Sequence, residues 1–142
     1  MNDSNISLPG SCCELPANHR LGSIDGLCNY ALKSAKTELK ESHCAETTVL
    51  VVTKTHLYAL HPTINEDDDK YFLHILMASI LPSLGAQVCA LVTDATIGDH
   101  TRAIIIAAED NKGHQVLKRW PIKGDSLVSS DQPKIDGRLG WL

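Results

Sequence analysis

The chain has 142 residues, enough for one domain whose core needs no disulfide or metal staple. Hydrophobic residues make up 43% and charged residues 21%, and no apolar run has the length of a membrane-spanning helix, so a membrane-inserted chain is not expected. The net charge is −4 with Lys and Arg scattered, and aromatics are only 4%, so neither a phosphate-binding surface nor a base-stacking platform is expected and nucleic acid is disfavoured as a partner.

The N-terminus, MNDSNISLPGSCC, lacks a basic start followed by an apolar stretch, so it does not read as a secretion signal. Residues 1–22, punctuated by Pro9, Gly10, Pro16 and Gly22, read as a flexible leader. Of the five cysteines, Cys12 and Cys13 are adjacent and the count is odd, which argues against a disulfide framework and for a reduced, cytoplasmic chain. Cys28 and Cys89 fall in apolar patterns and read as small core residues. A zinc site would have to draw on Cys12, Cys13, His19, Cys28, His43 and Cys44, none at the two-residue spacing of a structural zinc site, so no metal is expected there.

The first periodic segment spans Ser23 to Ser42. Ile24, Leu27, Cys28, Ala31, Leu32, Ala35 and Leu39 share one helical face, Ser23 is placed to cap, and Asp25 suits the positive end of the dipole. Val49–Val52 and His56–Leu60 then read as two strands joined by a turn over Thr53-Lys54-Thr55.

The stretch from His61 to His74 sets the acids 66–69 between two histidines. The acids are consecutive, so their side chains splay around an axis instead of converging, and no Gly bends the chain as a calcium loop needs. Leu73, Leu76, Met77, Ile80 and Leu84 follow at helical spacing, so the acids read as the start of a helix capped by Asn65 or Asp67. Pro82 either kinks that helix or ends it at Leu81, and Gly85 supplies the stop.

Three strands follow, in AQVCALVTDATIG, TRAIIIAAED and HQVLKRWPI, the last two joined by a short hairpin at Asp110, Asn111 and Gly113. Ile104, Ile105 and Ile106 in succession imply a strand buried on both faces. Val116 and Trp120 share a face of the last strand and Leu117 takes the other, which places that strand nearer an edge. Residues 123–142 read as a polar tail, although Trp141 and Leu142 are apolar enough to dock on the domain or on a neighbour. The expected fold class is α+β: helix-β-β-helix-β-β-β over residues 23–122, a five-stranded, mainly antiparallel sheet with two helices packed on it.

This order resembles that of roadblock-type and profilin-like modules, which serve as dimerising scaffolds. Residues 24–122 also resemble small uncharacterised bacterial and phage proteins in which one strand ends in Glu-Ala-Trp and another runs into Glu-Asp-x-x-Gly. The corresponding residues here are Thr93-Asp94-Ala95-Thr96 and Glu109-Asp110-Asn111-Lys112-Gly113; the acid is shortened to Asp94 and Thr96 replaces the tryptophan. That resemblance implies no activity; it admits a phage-encoded factor acting on a host component.

One constellation carries candidate chemistry. Asp94, Thr96, Asp99, His100, Thr101 and Arg102 cluster at a strand-loop-strand junction, where a His-Asp pair suits acid–base work and Arg102 suits a small anionic ligand. No Gly-rich phosphate loop or Gly-x-Ser-x-Gly elbow appears, no cofactor motif is present, and Cys44 has no evident activating partner. The favoured reading is a non-enzymatic binding or interaction module that self-associates, motivated by the run Ala103–Ala108 and by Trp120. The alternative is a small enzyme or nucleotide or small-ligand binder that uses residues 93–102, with His56 or His61 nearby.

Overall fold

The computed structural model describes residues 10–62, 67–97, 101–124 and 126–127. The elements are β1 (Gly10–Glu14), α1 (Ile24–Ser42), β2 (Thr48–Val52), β3 (His56–Leu60), α2 (Asp67–Ile80), β4 (Val88–Ile97), β5 (Thr101–Asp110), β6 (Gln115–Lys123) and β7 (Ser126–Leu127). They form one sheet in the order β1-β3-β2-β4-β5-β6-β7, and every neighbouring pair is antiparallel. The α+β class, the two helices and the antiparallel sheet agree with the sequence reading.

The strand number differs from the expected five. Residues 10–14 of the expected leader pair with β3, and the two-residue β7 lies within the expected polar tail. Both additions are held by backbone ladders: all five β1 residues are exposed, so no alternation of apolar side chains marks the strand.

α1 forms where expected. The Ser23 hydroxyl accepts the Gly26 N–H at 3.1 Å, and Leu27, Cys28, Ala31, Ala35 and Leu39 are buried. Gly26 is required there, because a Cβ would stand 1.8 Å from the Arg20 carbonyl oxygen. His43 ends the helix in the left-handed region (φ 63°) and donates its N–H to the Leu39 carbonyl, a C-terminal closure usually made by glycine.

The two helices cover opposite faces of the sheet. α1 packs on Leu50, Val52, Val88, Ala90, Val92, Ile104, Ile106 and Trp120. Residues of opposite parity on β2 and β4, Val49, Val51 and Cys89, meet Leu73, Met77 and Leu81 from α2 and the turn after it. The strand buried throughout is therefore β2, all five of whose residues are buried. This corrects the expectation for the isoleucine run: Ile104 and Ile106 are fully buried under α1, while Ile105, on the other face, is only half-buried.

α2 ends at Ile80, two residues before Pro82, so the proline terminates the helix instead of kinking it. Leu81 is fully buried, whereas Leu84, expected on the helical stripe, lies past the end and is 41% exposed. Gly85 takes φ +74°, a conformation that a side chain would strain. The Asn65 cap and the Trp141–Leu142 terminus lie outside the described residues. No helix among the described residues is long and apolar enough to cross a membrane.

Between β2 and β3 the turn is built by Thr53. Its N–H donates to the His56 carbonyl at 2.9 Å, and its hydroxyl accepts the His56 N–H at 3.0 Å. The β5–β6 turn is built by Asp110, whose carboxylate accepts the Lys112 and His114 N–H groups at 2.9 Å each and meets the His114 Nδ1 at 2.8 Å.

Candidate functional site

The expected constellation on β4 and β5 divides when placed in the fold. Asp94, Thr96 and Arg102 lie on the α1 side of the β4–β5 hairpin, with Thr96 directly opposite Arg102. Asp99 and His100 lie outside the described residues. Arg102 donates from Nε to the Asp94 carboxylate at 3.3 Å and from Nη2 to its second oxygen, making the two-pronged contact that a planar guanidinium favours.

The pair also grips the backbone between α1 and β2. Arg102 Nη2 donates to the His43 carbonyl at 3.1 Å, and the Ala45 N–H donates to the Asp94 carboxylate at 3.2 Å. Asp94 is nearly buried, its side chain 10% exposed. The result is a clamp that fixes the loop after α1 on the sheet. Arg102, expected to meet an anionic ligand, is directed to an internal carboxylate and a helix-end carbonyl.

What the clamp positions is a pocket of about 120 Å³ on the α1 side of the sheet. Ala31, Ala35, Ala45, Leu50, Ala59 and Val92 form its apolar surface. The space exists because alanines stand at 31 and 35 on the buried face of α1, where longer side chains would close it. Tyr30, Ser34, Glu38, Glu46, Thr48 and His61 supply the polar groups. The volume is somewhat smaller than the ~150 Å³ of an apolar cavity that accepts benzene, and equals about four waters.

The polar groups are tied together. The Glu46 N–H donates to the Glu38 carboxylate at 2.8 Å, which holds the loop against α1. His61 Nδ1 stands 3.1 Å from the Glu46 carboxylate and 3.3 Å from the Thr48 hydroxyl. That hydroxyl donates to the Glu46 carbonyl at 3.1 Å, so its oxygen faces the imidazole as an acceptor and Nδ1 is the donor. In a hydrolytic triad the nucleophile and the acid bind opposite ring nitrogens, so that the imidazole can carry a proton between them. Here both meet the same nitrogen, and that route is absent.

Two further titratable sites stand apart. Cys89 is buried on the α2 side; desolvation first, and the neighbouring Glu109 carboxylate second, push its thiol up to about 12. Cys28 is also raised, chiefly by burial. Neither is a nucleophile at neutral pH. Of the histidines flanking the acid run, His61 lines the pocket beside α1, whereas His74 is exposed on α2, which packs on the opposite face. His56 sits at the far end of the β3 hairpin, bonded to Thr55 at 2.7 Å, and takes no part in the pocket.

Sequence reasoning named Asp94 and Arg102, and raised His61, but missed Tyr30, Ser34, Glu38, Glu46 and Thr48. A signal existed for three of them: Tyr30, Ser34 and Glu38 recur every four residues beside the alanine face of α1. Glu46 and Thr48 lie in a polar connector without periodicity, and only the fold brings them to His61. No protein-family model matches this chain, and no curated protein or solved structure matches it.

Proposed function

We propose that the protein is a non-catalytic binding module that self-associates and uses the pocket between α1 and the sheet as its recognition element. The observation that carries this reading is the arrangement at His61, where the Thr48 hydroxyl and the Glu46 carboxylate share one ring nitrogen, so the imidazole does not relay a proton from one to the other. The Asp94–Arg102 clamp supports it further, because those charges hold backbone in place.

The pocket's chemistry favours a compact apolar body with a hydrogen-bond-donating or cationic head. Small aliphatic side chains surround the body, and the Glu38 and Glu46 carboxylates meet the head. Two carboxylates at the rim oppose an anion, which moves the ligand class away from the anionic one expected from Arg102. The mouth continues along α1 past Lys33 and Thr37, which leaves room for a ligand that extends over the surface.

Calorimetric titration with isobutylamine, isobutanol and isobutyrate tests the assignment. The amine is expected to bind best and the carboxylate not at all. Glu38→Gln should weaken the amine several-fold, and Ala59→Leu, which fills the pocket, should abolish binding. Carboxylate binding, or amine binding that survives Ala59→Leu, would overturn it.

A further inference from the structure

We propose that β1 is the seam of a homodimer, in which the outer edge of Gly10–Glu14 pairs antiparallel with the same edge of a second copy about a two-fold axis at Cys12. The proposal rests on the self-association reading and names its surface. Of the residues that first suggested a partner, Ile104, Ile106 and Trp120 are buried beneath α1 within the chain, whereas Ile105 and Ala107 are half-buried on the other face.

The hydrogen-bonding direction of β1 follows from its ladder. Leu15 N–H donates to the Thr55 carbonyl at 2.8 Å, and the register runs Glu14↔His56, Cys13↔Leu57, Cys12↔Tyr58. Directly opposite residues alternate between bonded and non-bonded pairs, so Ser11, Cys13 and Leu15 turn their backbone groups to β3. Thr53, bonded to His56 across the next hairpin, gives the same alternation, with Leu57 and Ala59 directed to β1. Gly10, Cys12 and Glu14 therefore direct their N–H and C=O groups away from the sheet. Among the described residues no strand meets them, and β1 ends the strand order.

Such an edge is a template for another strand unless something blunts it. Within β1 there is no proline, no lysine and no bulge, and both faces are bare, since all five residues are exposed. Apart from the contact between the Cys12 thiol and the Tyr58 hydroxyl, the strand draws its order from its ladder, and a second ladder adds to that order. Gly10 lets the strand lie close on β3, where a Cβ would stand 2.5 Å from the Ala59 carbonyl oxygen.

The sequence of β1 suits a copy of itself. With Cys12 opposite Cys12, the pairs are Gly10↔Glu14, Cys12↔Cys12 and Glu14↔Gly10, so every outward-directed residue is used. The only charged residue, Glu14, faces a glycine. The two Glu14 side chains stand at opposite ends of the seam, about 13 Å apart at the rise of a strand. That exceeds a Debye length of ~8 Å in physiological salt, so they do not repel appreciably. Pro16 closes the segment on one side and Pro9 precedes it on the other, and neither offers an N–H to extend the ladder. Opposed residues of a bonded pair have Cα atoms about 5.5 Å apart, within the span a disulfide bridges. One continuous antiparallel sheet then runs through both copies.

The test is sedimentation velocity of the full chain under reducing conditions at high micromolar concentration. Wild type is expected to sediment as a dimer. Cys12→Pro removes an outward N–H while leaving the β3 ladder intact and should give a monomer; Cys12→Lys, which opposes like charges across the axis, should do the same. Both variants should keep the wild-type circular dichroism, and their urea midpoints should match that of wild type diluted until it sediments as a monomer. Diamide, which accepts the two electrons and two protons released by two thiols, should cross-link wild type and Cys13→Ser but not Cys12→Ser. A wild-type monomer would overturn self-association and the seam together. A dimer that persists in both Cys12→Pro and Cys12→Lys, or that cross-links through Cys13, would overturn the seam alone.

Discussion

Replacing Asp94 by alanine tests whether the clamp is structural. Asp94 accepts the Ala45 N–H and two donors from Arg102, and Ala45 is only 7% exposed. Leaving that nearly buried N–H without an acceptor costs about 1–3 kcal/mol. The charge contact adds less, because the Arg102 side chain is 39% exposed and screened by solvent; about 0.5–1 kcal/mol is its share. Asp94→Ala is therefore expected to lose ~1.5–4 kcal/mol, which lowers Tm by roughly 5–13 °C in a chain of this size. Asp94→Asn keeps an oxygen for the Ala45 N–H and should lose about 1 kcal/mol or less on the same reasoning. Urea unfolding of both variants, of Arg102→Ala and of the double mutant gives the coupling energy directly. If Asp94→Ala unfolds within about 0.5 kcal/mol of wild type, or Asn is as damaging as Ala, the clamp does not hold the loop.

The remaining predictions concern thiols and acid. Cys12, Cys13 and Cys44 are exposed while Cys28 and Cys89 are buried, so a chromogenic disulfide reagent near pH 8 should react rapidly with three of the five thiols in native protein. The other two should appear only after denaturation, and a fourth fast thiol would contradict the placement of Cys28 or Cys89. At Asp110, desolvation pushes the carboxyl up, but hydrogen bonds from the His114 ring and from the His114 and Lys112 amides outweigh it and hold it below its ordinary value. The stabilisation is then complete above the unfolded value of about 3.9 and is lost as pH falls through the lower folded value. Urea midpoints measured from about pH 5 down to pH 2 should fall more steeply for wild type than for Asp110→Asn, and parallel curves would refute this account.

The elements legible in the sequence are those whose apolar residues recur with the period of the backbone. α1 shows its stripe from Leu27 to Leu39 and its Ser23 cap, and the β2–β3 and β5–β6 hairpins show runs broken by turn residues. The start of α2 at Asp67 follows from acids gathered where unpaired amides favour negative charge. β1 was illegible for the opposite reason: Gly-Ser-Cys-Cys-Glu buries nothing, and it becomes a strand chiefly by pairing its backbone with β3.

The candidate site divides along the same line. Asp94 and Arg102 stood out as charged groups near one turn, and the antiparallel register does bring them together. Their task was decided by the third partner, the loop after α1, which is far away in the chain and carries no pattern. By itself the sequence determined which segments must bury a face, because side-chain periodicity and helix capping are local. The tertiary structure alone decided that Glu38, Glu46, Thr48 and His61 meet over a gap left by small residues, because a cavity belongs to no single segment.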